Sequence, residues 1–110
     1  MKRLFLCLFL ASCASASPRP DDAWRQIELD KRQIAEDERA LGAGQIEGQP
    51  VDCGRATKLG DNICTLSERI CALVEGLPRT PENAAQCTDA RGRCAAAREK
   101  VKAACGKGRP

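Results

Sequence analysis

The sequence has no histidine and no tyrosine, one tryptophan (Trp24), and no methionine beyond Met1. Its two phenylalanines, Phe5 and Phe9, both lie near the N-terminus. Without histidine there is no imidazole base to activate a serine or cysteine nucleophile, and a Ser-Lys arrangement has no motif behind it. No Cys-x-x-Cys pair and no strand-like alternation appear, which argues against a thioredoxin-type redox centre. A phosphate-cradling glycine loop is missing too, because "GAGQIEG", residues 42–48, follows a helical stretch and not a strand. The expectation is a protein that is not an enzyme and uses no cofactor.

Charge of one sign is also scarce. The whole chain of 110 residues carries a formal +3. Residues 13–50 hold 5 basic and 8 acidic side chains and residues 51–110 hold 11 and 7, so the two halves differ in sign. A chain this balanced has no electrostatic footprint for nucleic acid. Attraction between the halves is expected, and it is weak if the charges are exposed. Acid pairs such as Asp21–Asp22 and Asp37–Glu38 are expected on a solvated helix face. With almost no aromatic residues, the interior must be built from Ile, Leu, Val, Ala and Cys. Such thin cores usually need cross-links or metal.

What the chain does have begins with an address. "MKRLFLCLFLASCASASPRP" opens with Lys2 and Arg3 and continues into an apolar run from Leu4 to Ala11. That run is too short for a permanent membrane span and suits a signal peptide, residues 1–12. "LASC", Leu10 to Cys13, resembles the bacterial lipobox, in which the cysteine becomes the lipidated first residue. The resemblance implies a Cys13 held at a membrane by three acyl chains, enough for stable anchoring. Ala14 follows it, and under the enterobacterial sorting rule a residue other than Asp there implies the outer membrane. The alternative is "ASA", Ala14 to Ala16, an ordinary cleavage site that gives a secreted or periplasmic protein. Cys7 lies in the apolar run and reads as a small apolar residue.

Residues 13–20 read as a lipidated N-terminus and tether, small and proline-rich. Residues 21–42 read as an amphipathic helix, with Asp21 or Asp22 capping its start and Gly42 ending it. Ile27, Ile34 and Leu41 recur every seven residues, with Trp24 one turn earlier. That seam is narrow, so the helix either packs along it or is marginally ordered. Residues 43–51 read as a linker. Residues 52–106 read as two helices. Asp52 caps the first and Gly76 with Pro78 stops it; Thr80 caps the second with Pro81 at its first position. The second helix ends at Gly106, and residues 107–110 form a basic tail.

Six of the eight cysteines follow the linker, at Cys53, Cys64, Cys71, Cys87, Cys94 and Cys105. Their separations of 11, 7, 16, 7 and 11 form a palindrome centred on Arg79, in the expected turn "LPRTPEN". Seven and eleven residues turn a helix by about 700° and about 1100°, each within about 20° of whole revolutions. Three cysteines therefore line one face of each helix. Cysteines seven apart on one helix are too distant to bond, since a disulfide needs Cα atoms within about 7 Å. Of the 15 pairings that six cysteines allow, those that avoid pairing within a helix include one with a constant antiparallel register: 53–105, 64–94 and 71–87. Export brings such thiols to an oxidising compartment. Gly60 and Ser67 lie on the cysteine face of the first helix, and Ala90, Ala97 and Ala104 near that of the second, as close helix axes require. A broader arc on the first helix, from Ala56 through Leu59, Ile63, Leu66, Ile70 and Leu73 to Val74, needs a cover. The cover is either the 21–42 helix or a molecule outside the chain.

The mirrored Cys-x10-Cys-x6-Cys arrangement resembles the twin Cys-x-n-Cys helical hairpins in geometry, although that family usually carries Cys-x9-Cys and two bridges. Together with "LASC", the region "ICALVEGLPRTPENAAQCTDARGRC" is similar to the small cysteine-rich lipoproteins of myxobacteria, a group that brings no function with it. The expected fold is all-α: an antiparallel helical hairpin laddered by three disulfides, with one preceding amphipathic helix and room for a three-helix bundle. The expected function is a non-catalytic, lipid-anchored cell-envelope protein with a structural or protein-interaction role. Its partners are the membrane through the anchor and an envelope protein; nucleic acid is not among them. The alternative is a thiol-rich envelope lipoprotein that binds Cu or Zn. Against it stand the absence of histidine and of close chelating pairs, so no metal ligands are assigned.

Overall fold

The computed structural model describes residues 19–43 and 51–106, which form three helices and, among those residues, no strand. The expected signal peptide, Cys13, nearly all of the expected tether, most of the expected linker and residues 107–110 lie outside the described residues. Helix α1 runs Pro20–Ala43, α2 runs Cys53–Glu75 and α3 runs Pro81–Cys105.

Local chemistry accounts for the helix ends. The Asp52 carboxylate accepts the Arg55 backbone N–H at 3.0 Å and opens α2. At its other end the Gly76 N–H reaches the carbonyls of Leu73 and Val74. Thr80 caps α3 by accepting the Asn83 N–H at 3.1 Å, and Pro81 takes the first turn, where its missing N–H costs nothing. Asn83 also donates its side-chain amide to the Pro78 carbonyl at 2.8 Å, and Leu77 turns into the core. The turn between α2 and α3 is thus tied from both sides.

The start and end of α1 differ from the sequence expectation. Neither Asp21 nor Asp22 caps it. The Arg19 carbonyl accepts the Ala23 N–H at 2.9 Å, Pro20 is the first helical residue, and both aspartates sit in the first turn. Proline is pre-set for that position, and acid in the first turn suits the helix dipole. At the far end Gly42 stays helical, and the helix runs one residue past it.

Helix α2 is the centre of the molecule. Helix α1 lies antiparallel along one flank and α3 antiparallel along another, giving an up-down-up order. The arc on α2 is covered from within the chain: Ala56, Ile63, Leu66 and Ile70 are buried, with Leu59, Leu73 and Val74 packed at the edge. The seam of α1 supplies Ile27, Ile34 and Leu41, joined by Ala23. Each fully buried isoleucine contributes roughly 1.5–3 kcal/mol, so the set Ile27, Ile34, Ile63 and Ile70 dominates the apolar core. Between α2 and α3 the contacts are small residues: Gly60, Ser67, Ala90 and Ala97 are buried. A Cβ on Gly60 would meet Val101 at 3.1 Å, which shows how near the two axes lie.

Candidate functional site

Two ladders hold this molecule together, one covalent and one polar. The covalent ladder joins α2 to α3. Cys53 bonds Cys105, Cys64 bonds Cys94 and Cys71 bonds Cys87, with Cα atoms 5.7, 4.6 and 4.6 Å apart. These separations lie in the range a disulfide needs. Cys64 and Cys105 are buried and the other four are half-buried. In this bonded state none of the six sulfurs is a thiolate. Among the described residues no group of three or more Cys, Asp or Glu is placed to hold a metal ion. Cys13, the expected lipidation residue, lies outside the described residues.

The polar ladder joins α1 to α2, and it corrects the sequence reading. Asp37 does not lie on a solvated face: it is buried, and Glu38 is half-buried. Asp30, which carried no expectation, is 1% exposed. Asp30 and Asp37 occupy the seam itself, alternating with Ile27, Ile34 and Leu41 at steps of three and four residues. Asp30 accepts two hydrogen bonds from Arg69, that from Nε at 2.7 Å. Asp37 accepts one from the Asn62 side-chain amide. Gln26 and Gln33, one turn back on α1, donate to the same aspartates at 2.8 and 3.1 Å. A third link reaches α3, where Arg93 donates two bonds to Glu38, the Nε bond at 3.1 Å.

Electrostatics follow from this geometry. The hydrogen bond to Asp30 raises the Arg69 guanidinium above the usual arginine value; burial opposes this, and charge attraction adds to it. Arg93 is raised in the same way, first by its hydrogen bond to Glu38, with the nearby charge of Asp89 also contributing. The attraction expected between an acidic N-terminal half and a basic C-terminal half is therefore delivered at specific contacts. One partner in the first of them is removed from water.

The polar ladder has a mirrored spacing of its own. Asp30 and Asp37 are seven residues apart, and so are their partners Asn62 and Arg69. The two pairs share a midpoint between residues 49 and 50, as the cysteine pairs share one at 79.

A cleft of about 180 Å³ opens on the α2–α3 flank, lined by Thr57, Gly60, Asp61, Arg98, Val101 and Lys102 among others. It is below the 300–1,000 Å³ typical of small-molecule sites, and it mixes charges of both signs. The Thr57 hydroxyl is buried without a hydrogen-bond partner. No described helix is long and apolar enough to cross a membrane. No protein-family pattern, curated protein or solved structure matches this chain.

Proposed function

We propose that this protein is a non-catalytic component of a bacterial cell envelope, anchored by lipid at Cys13, with a structural or protein-interaction role. The observation that carries the proposal is "LASC" directly after an apolar run too short to span a bilayer. The segment Ala14 to Pro18 would serve as a tether that holds a folded helical unit clear of the membrane surface. Cross-linking by three disulfides supports an exported location, because such bridges persist in oxidising compartments. Ala14 after the lipidated cysteine favours the outer membrane, and "ASA" marks the secreted alternative.

The test is expression with the native N-terminus in a bacterial host, metabolic labelling with an alkyne fatty acid, and detergent phase partition. Acyl label on the mature chain and its loss in Cys13→Ala are the expected results. A mature chain that begins after Ala16 and stays in the aqueous phase would overturn anchoring. Crosslinking in intact envelopes, followed by capture, then tests the interaction role.

A further inference from the structure

We infer that α1 is an acid-released arm: protonation of its carboxylates frees it from the disulfide-locked hairpin and bares the apolar arc of α2. The α2–α3 pair is joined by three covalent bridges. Helix α1 is held to the hairpin by packing and by side-chain links, and in three of those links the acceptor is a carboxylate of α1. Arg69 donates to Asp30, Asn62 donates to Asp37 and Arg93 donates to Glu38.

The groups that face these carboxylates set the direction of the response. Against Asp30 stand Arg69 of α2 and Gln26 of α1 itself. Against Asp37 stand two neutral amides, Asn62 of α2 and Gln33 of α1. Against Glu38 stands Arg93 of α3, which Asp89 of the same helix also attracts. Protonation cancels both ion pairs and makes Asp37 a weaker acceptor for its amides. It also removes the charge complementarity between the halves. With 8 acidic groups neutralised, residues 13–50 keep 5 positive charges, and residues 51–110 keep 11. Attraction then becomes repulsion, while the disulfides of the hairpin are indifferent to acid. Release would uncover Ile63 and Ile70 on α2 and Ile27 and Ile34 on α1, all fully buried when docked. Acid release does not depend on whether Cys13 is lipidated.

The experiment uses the oxidised chain and amide hydrogen exchange, corrected for the intrinsic effect of pH, at about pH 7 and about pH 3. Trp24, half-buried in α1 and the sole tryptophan, gives a parallel optical signal. The expected result is that α1 amides lose protection by roughly tenfold or more, while α2 and α3 amides keep theirs. Trp24 emission should move to the red and an apolar dye should bind. Protection of α1 that survives at the lower pH overturns the inference, as does loss of protection in all three helices together. The variant Asp30→Asn with Asp37→Asn and Glu38→Gln decides cause: the change in α1 protection between the two pH values should shrink several-fold relative to the parent chain, with only the remaining acidic groups left to titrate. A pH transition of undiminished size in that variant would overturn the assignment to these three carboxylates.

Discussion

Arg69 of α2 grips Asp30 of α1 through two hydrogen bonds, with Asp30 1% exposed and the Arg69 side chain 54% exposed. The carboxylate cannot reach water in the docked state, whereas the guanidinium can. Removal of one partner is therefore not equivalent to removal of the other. Asp30→Ala leaves an arginine that rehydrates, at a cost of about 1–3 kcal/mol. Arg69→Ala leaves a buried carboxylate short of its donors, and its cost should approach the roughly 3–5 kcal/mol seen for broken buried pairs. Urea unfolding of the two variants should rank them in that order. Asp30→Leu with Arg69→Met is expected to be neutral or stabilising by about 1–4 kcal/mol.

The disulfides should not follow loop length. Their sequence separations are 52, 30 and 16 residues. Taken singly, the longest loop would contribute most. The bridges are nested, however, so each closes only a short ring once its neighbours are in place. Removing any one pair by Cys→Ser, with the other two intact, should cost a similar amount, about 3 kcal/mol. Thermal unfolding of the three double variants measures this. A markedly larger loss for Cys53–Cys105 than for Cys71–Cys87 would contradict the nested picture.

The cysteine ladder was legible because two constraints meet in it. The helix period fixes which cysteines share a face, and a constant register fixes which pair across. The seam Ile27, Ile34 and Leu41 and the turn around Thr80 and Pro81 were legible for similarly local reasons. Asp30 and Asp37 were not, because a carboxylate in a heptad normally signals the wet face. What reverses that reading is a donor 39 residues away for Asp30 and one 25 residues away for Asp37. Neither Arg69 nor Asn62 stands out within its own helix, since both are exposed residues of α2. Only the docked arrangement makes the four residues a set.

Glycine replacements separate propensity from packing. At Gly92 no atom lies within 4 Å of an added Cβ, so Gly92→Ala should stabilise α3 by about 1 kcal/mol. At Gly60 the same gain meets Val101 at 3.1 Å, and overpacking of about 1–3 kcal/mol opposes it. Gly60→Ala is expected to be neutral or destabilising. In a Val101→Ala background, which removes the opposing methyl groups, it should become stabilising. Melting temperatures of the parent, the two single variants at Gly60 and Val101 and the double variant close this cycle.

Thr57 offers a polar-to-apolar exchange. Its hydroxyl is buried with no partner, so it bears a desolvation cost that no hydrogen bond offsets. Thr57→Val keeps the branched shape and removes the cost. It should leave stability unchanged or raise it by about 1 kcal/mol. A loss of more than that on denaturant titration would mean that the hydroxyl has a partner in solution.

Ile34 tests whether α1 and the hairpin unfold as one unit. It is fully buried at the middle of the α1 seam, between the two buried aspartates. Ile34→Ala should cost about 2–5 kcal/mol at that interface. The covalent ladder lies on another face of α2, so the loss should fall on α1 docking and spare the hairpin. Trp24 emission, which reports α1, should then lose its native signal at lower urea than the helical circular dichroism of the oxidised chain. In the parent chain the two transitions should lie closer together. Coincident transitions in Ile34→Ala, both shifted by the same amount, would mean that α1 and the hairpin form one cooperative unit in spite of the uneven cross-linking.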